Sequence, residues 1–171
     1  MDVILVNEKD QQTGTMEKME AHRKALLHRA FSIFIFDEKG NMLLQKRAAG
    51  KYHSPGLWTN ACCSHPQPGE DIVKAAEKRL YEEMGFTTPL EKKFSFTYKA
   101  SFENGLTEYE YDHVFTGVYS GPVKPDAEEV SDYCFLTVAD IKNALQEEPH
   151  LYTAWFKIAF PLLLSNLAPA S

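Results

Sequence analysis

No apolar run in the sequence approaches the ~20 residues that a membrane-spanning helix needs. There is no internal repeat and no low-complexity tract, which excludes solenoid and linker-like readings. The opening "MDVILVNEKD" has an acid at position 2 and only four consecutive apolar residues, so no signal peptide is expected. The closing "LAPAS" carries neither a peroxisomal tripeptide nor a lipidation box. Cysteine is scarce and odd in number: Cys62, Cys63 and Cys134, two of them adjacent. A disulfide framework is therefore not expected, and free thiols in a reducing cytoplasm are. Basic charge is also in deficit, with 18 Lys and Arg against 24 Asp and Glu and a net charge of -6. That excludes a global nucleic-acid footprint; an anion would need a local basic pocket or a metal.

What is present is an ordinary globular composition, 44% hydrophobic and 25% charged over 171 residues. A single domain spanning 1–171 is expected. "VILV" (3–6) reads as a strand, "QQTGT" (11–15) as a turn and 16–28 as a polar helix. "AFSIFIF" and "NMLLQKR" read as strands around Asp37-Glu38-Lys39-Gly40. "KYHSPGLW" reads as a loop punctuated by Pro55-Gly56. From Asp71, Ile72, Val73, Ala76, Leu80 and Met84 recur at helical spacing until Gly85. Two alternating stretches, 94–102 and 108–120, flank Glu103-Asn104-Gly105 as a hairpin. A short strand, 132–136, precedes a helix opened by Thr137 and Asp140 in a capping-box arrangement. A last helix starts near Thr153, with Pro161 expected to kink or end it. The sum is a mixed α/β (α+β) domain.

Several residue sets carry chemistry. Glu108 and Glu110, two apart on a strand, share one face, and Asp112 continues the row. Two ionised carboxylates side by side in a pocket call for a cation; on an open sheet face they are merely solvated. His22 and His28, six apart, leave one face of a straight helix and converge only if the backbone bends between them. His65 follows Cys63 by two, without the second pair that a zinc finger requires. Lys18, Arg47, Lys51 and Arg79 could cradle a phosphate, or be scattered surface charges. Tyr98 and Trp155 read by periodicity alone as core.

The stretch from Ser64 through Glu70 to "KRLYEEMGF" resembles the Nudix box, with Glu82, Glu83 and Gly85 in register. Ser64 replaces its glycine, and Lys78-Arg79 replaces the Arg-Glu that hydrolases use with the other helix carboxylates to hold metal. "HRAFSIFIF", "SPGLWTNACCSHP", "YEEMG", "TEYEYDHVF" and "TAWF", from about Asn7 to Trp155, together resemble the type I isopentenyl-diphosphate Δ-isomerases.

That resemblance implies a Nudix-like mixed sheet sandwiched between helices. It implies conversion of isopentenyl diphosphate to dimethylallyl diphosphate, in isoprenoid biosynthesis, through a tertiary carbocation. Cys63 then matches the catalytic thiol, Glu110 with Tyr98 the proton-exchanging group opposite, and Trp155 the aromatic lid. His22, His28, His65, Glu108 and Glu110 match ligands of a divalent ion, Mn²⁺, Zn²⁺ or Mg²⁺, and Glu83 matches the residue for a second Mg²⁺ on the substrate diphosphate. Lys18, Arg47, Lys51 and Arg79 match the diphosphate holders. The partner expected is a small isoprenoid diphosphate, with no nucleic acid or membrane, the chain being a monomer or weak homodimer. Structural roles are expected for Asp112, His113 and Cys134. The competing readings are a Nudix hydrolase of a nucleoside diphosphate derivative, and a metal-binding module without catalysis.

Overall fold

The computed structural model describes residues 1–167; the tail motif at 168–171 lies outside the described residues. Among the described residues, nine strands form one mixed sheet: β1 (Asp2–Val6), β2 (Gln12–Glu17), β3 (His28–Phe36), β4 (Met42–Arg47), β5 (Trp58–Asn60), β6 (Cys62–Ser64), β7 (Glu91–Ser101), β8 (Thr107–Val118) and β9 (Val130–Leu136). The helices are α1 (Lys18–Lys24), α2 (Ile72–Met84), α3 (Val138–Glu147) and α4 (Ala154–Leu167). None of the described helices is long and apolar enough to cross a membrane.

β3 is the centre. It pairs in parallel with β8 over its whole length, from His28↔Glu110 to Phe36↔Val118, and antiparallel with β1, β4 and β6. Its near-continuous apolar run is what a strand covered on both faces requires. Phe31, Ile33 and Ile35 pack under α2 with Ala76, Leu80 and Met84. Phe34 packs on the other face with Val114 and with Phe156, Phe160 and Leu163 of α4. The sheet is thus sandwiched between helices, as the family resemblance implied.

α2 starts where Asp71 accepts a hydrogen bond from the Lys74 amide (3.1 Å), satisfying an otherwise orphaned donor. It ends at Gly85, whose φ of +76° suits a residue without Cβ. A Cβ there would also collide with the Lys124 carbonyl.

Three expectations fail. "QQTGT" is not a turn: Gln12–Glu17 is an edge strand in register with β1, Asp2↔Glu17 to Leu5↔Gly14. Pairing with β1 overrides the weak strand propensity of a Gly-containing polar segment. The first helix stops at Lys24 rather than running to 28, because Ala25 adopts the left-handed conformation (φ 54°) and His28 already belongs to β3. Pro161 does not end the last helix, which continues to Leu167. The buried face of Phe156, Ala159, Phe160 and Leu163 holds it against the sheet. The three cysteines are unpaired.

Candidate active site

Strand alternation builds the site. On one face, registers align Tyr98 with Glu110, His28 with Glu110, and Ser32 with Cys63. Cys62, one residue away, must face the opposite side, and it lies fully buried in the cluster under α2. Cys63 is half-buried and opens into a cavity of about 220 Å³. The cavity wall also includes Tyr98, Glu108, Glu110, Trp155 and the basic residues Lys18, Arg47, Lys51 and Arg79. Ligand pockets commonly run to ~300–1,000 Å³, so this one suits a compact ligand.

At its floor lies a cluster of histidines and carboxylates. The reversal at Ala25 is the backbone bend that brings His22 and His28 together, with ring centroids 5.1 Å apart. Each points Nδ1 at a backbone carbonyl, His22 at Lys18 O (2.6 Å) and His28 at Leu26 O (2.9 Å). A carbonyl only accepts, so both Nδ1 atoms carry the proton in the neutral ring, and Nε2 presents a lone pair. Those Nε2 atoms are buried and without hydrogen-bond partners. They face carboxylate oxygens: His22 to Glu108 at 3.8 Å, His28 to Glu110 at 3.4 Å. His65 Nε2 lies 2.5 Å from Glu110. Lone pairs facing lone pairs repel unless a cation stands between them. Backbone-clamped imidazoles are also the usual support of a metal ligand. The donor set, with one ligand atom each from His22, His28 and His65 mutually within 4.8 Å, is compatible with a divalent metal.

The Tyr98 hydroxyl lies 2.7 Å from Glu108 and 2.6 Å from Glu110, so its one proton can be given to either. Burial, then the two carboxylates, push its ionisation far up, keeping it a donor. Burial would raise Glu110, yet His65 and His28 outweigh it and hold the carboxyl well below the ordinary carboxylate range. Cys63 behaves oppositely. Burial, and next Asp112, push the thiol up, although hydrogen bonding to Ser32 (3.5 Å) and Asn60 (3.2 Å) offsets part.

The basic residues gather at the α2 side. Arg79 donates to Glu82 (2.7 Å) and Glu83 (2.6 Å), and Lys51 pairs with Glu129 at 2.5 Å. Burial, then Lys51, lowers the Lys18 ammonium, as expected where cations crowd together, and Glu129 offsets part of the shift. The Arg47 guanidinium sits 5.1 Å from the Trp155 ring centroid. Glu83 is 5% exposed and also accepts from Gln45 (3.2 Å).

All thirteen residues singled out in the sequence thus come to one region, with His22 and His28 beneath the cavity rather than lining it. The sequence reading missed four contributors. Ser32 links Cys63 to Asp112, donating to its carboxyl at 2.7 Å, and Asn60 accepts from the thiol. Glu129 ties Lys51 down. His53 lies 2.9 Å from Glu108. The "WTN" run preceding the cysteines was the available signal for Asn60; Ser32, Glu129 and His53 had none in local spacing.

A central mixed sheet carrying this site beside a helix that ends in Glu82, Glu83 and Gly85 defines a Nudix-class protein. A profile of the NUDIX domain matches residues 26–156. A MutT protein from Methanosarcina mazei shares the fold with a TM-score of 0.67 at 19% identity, covering 83% of this chain and 96% of its own. At higher identity stand two curated relatives. "Isopentenyl-diphosphate Delta-isomerase 2" of Photorhabdus laumondii is 52% identical over 155 residues, 91% of this chain and 88% of its own. "Isopentenyl-diphosphate Delta-isomerase 1" of Aromatoleum aromaticum is 50% identical over the same shares. The chain belongs to the Nudix family, in its isopentenyl-diphosphate Delta-isomerase branch.

Proposed function

We propose that the protein isomerises isopentenyl diphosphate to dimethylallyl diphosphate. The observation that carries this is a thiol, Cys63, and a tyrosine-linked carboxylate, Glu110, lining one small cavity beside a cluster of cations. The reaction adds a proton to C4, giving a tertiary cation at C3, and removes one from C2, leaving the C2=C3 bond. Two acid–base groups in opposite protonation states can do both, and Cys63 and Glu110 are that pair. Tyr98, hydrogen-bonded to Glu110, steadies its charge and relays its proton. Trp155 presents a π surface to the cation, a contact worth up to ~2 kcal/mol when desolvated. Lys18, Arg47, Lys51 and Arg79 hold the diphosphate, so the apolar tail is fixed against the acid–base pair.

His22, His28, His65, Glu108 and Glu110 would hold a divalent ion, Mn²⁺, Zn²⁺ or Mg²⁺. Bound there, it would neutralise the paired carboxylates and keep Glu110 aimed. Glu83 would take a second ion, Mg²⁺, shared with the substrate diphosphate, since magnesium favours one carboxylate plus phosphate oxygens. The unit acting is the whole domain, free in the cytoplasm, without nucleic acid or membrane, as a monomer or weak homodimer.

A hydrolase reading is disfavoured by Arg79. It stands where hydrolases carry a metal-binding glutamate, and its guanidinium is locked on Glu83. The test is incubation with isopentenyl diphosphate and Mg²⁺ in D₂O, followed by NMR. Deuterated dimethylallyl diphosphate is expected. Release of inorganic phosphate would favour hydrolysis, and an unchanged substrate would leave a non-catalytic metal-binding module.

A further inference from the structure

We propose that His53 is a further ligand of the metal centre, a fourth imidazole reaching the ion from the 51–58 loop. The inference rests on the metal-centre reading above and adds a donor to it. His53 is 4% exposed, and neither of its ring nitrogens has a hydrogen-bond partner. Leaving such a group unsatisfied costs ~1–3 kcal/mol, so an unmet buried imidazole needs an explanation. Its Nε2 lies only 2.9 Å from Glu108 Oε2 yet off hydrogen-bond alignment. The ligand atoms of His22, His53 and Glu108 all lie within 4.8 Å of one another. Donors at ~2.0–2.2 Å from an ion can be at most about 4.4 Å apart, so this triad is close to coordination spacing. The ring has little freedom to look elsewhere. It stacks on Phe102 at 4.8 Å with planes 2° apart, and meets the Tyr52 and Trp155 rings edge-on at 4.3 and 5.5 Å. His22 belongs to both triads, His22–His28–His65 and His22–His53–Glu108, and so joins His53 to the rest of the cluster.

The consequence is chemical. Four imidazoles and two carboxylates would then be available to hold the ion, which would help to keep Glu110 aimed. Through its edge contact with His53, Trp155 is also held in place by the loaded site.

The experiment uses the full chain loaded with Co²⁺. Hyperfine-shifted, exchangeable imidazole N–H resonances are compared by NMR between wild type and His53→Asn. The expected result is one fewer such signal in the variant, with affinity for Zn²⁺, read by chelator competition, falling by at least the ~10–100-fold that follows loss of a ligand-supporting contact. An identical set of signals in the two proteins would overturn the proposal, even if affinity drops, because a residue that merely orients Glu108 gives no signal of its own. Should His53→Asn fail to fold, His53→Gln carries the same comparison, and a wild-type count limited to three imidazoles also overturns it. Absence of Co²⁺ from the cluster would sink the metal-centre reading as well. Normal isomerisation by wild type with only three imidazole signals would sink His53 alone.

Discussion

Cys62 and Cys63 are neighbours in the chain but belong to opposite faces of the sheet. Cys63 opens into the cavity shared with Tyr98 and Glu110, and Cys62 is sealed among Leu80 and Met84 beneath α2. The division follows from strand pleating, since Cys62 pairs with Ile33 and Cys63 with Ser32.

Replacement of the two should therefore separate cleanly. Cys63→Ala is expected to lower turnover by the ~10²–10⁴-fold that a positioned acid–base group supplies or more, with fold and metal content kept. Cys62→Ala should lower the urea midpoint while turnover per folded molecule stays near wild type. Steady-state kinetics with a denaturation curve for each variant reads both. Near-normal turnover in Cys63→Ala would remove the assigned role.

The pH dependence follows from the direction in which Cys63 is shifted. Burial, then Asp112, raises the thiol, and the form proposed to act carries the proton. Activity is thus retained as pH rises through the ordinary thiol value of about 8.5 and is lost only beyond it. A kcat/KM profile should place the alkaline limb above that value. A limb at or below it would mean that the thiol acts in a different state.

Arg79 bonds to Glu82 and Glu83 with charge-assisted hydrogen bonds, worth roughly 1.5–3 kcal/mol each when made to an anion. If it also meets the substrate diphosphate, Arg79→Gln should raise KM by about 10–100-fold, as loss of ~1.5–3 kcal/mol of binding implies. Substrate titration at fixed Mg²⁺ measures it. An unchanged KM would assign Arg79 to holding Glu83 alone.

Divalent ions should stabilise the fold, because Glu108 and Glu110 are about 5% exposed and face unpartnered imidazole nitrogens. A ligand at 100 times its dissociation constant adds about 2.7 kcal/mol. The thermal midpoint should fall when the protein is stripped with a chelator and recover with Mn²⁺ or Zn²⁺. Indifference to both would argue against a metal at this cluster.

Gly85→Ala should cost at least about 1–3 kcal/mol, since it forces a side chain into left-handed backbone against Lys124. Urea denaturation measures this. It also displaces the end of α2 next to Glu83, so KM should suffer with stability.

Much of the scaffold was legible from local chemistry. α2 was readable from its periodic Ile72, Ala76, Leu80 and Met84, with Asp71 and Gly85 as its two stops, because capping and amphipathicity act within a few residues. The strand spacing of Glu108 and Glu110 placed them on one face for the same reason. The edge strand Gln12–Glu17 was hidden because its stability comes from β1 rather than from its own residues. The continuation of α4 through Pro161 was hidden because the packing that overrides proline lies in another part of the chain. His53 and Glu129 were invisible because each gains meaning from a partner 55 or 78 positions away, His53 from Glu108 and Glu129 from Lys51.

By itself, then, the order of residues settled most of the elements and the supply of carboxylates, imidazoles, thiol and cations. The folded chain alone decided which of them meet. The left-handed turn at Ala25 swings two histidines together, the β3–β8 register sets His28 opposite Glu110, and pleating sends one cysteine into the cavity and its neighbour into the core. Periodicity is short-range information, whereas a site is made from long-range contacts that only packing creates.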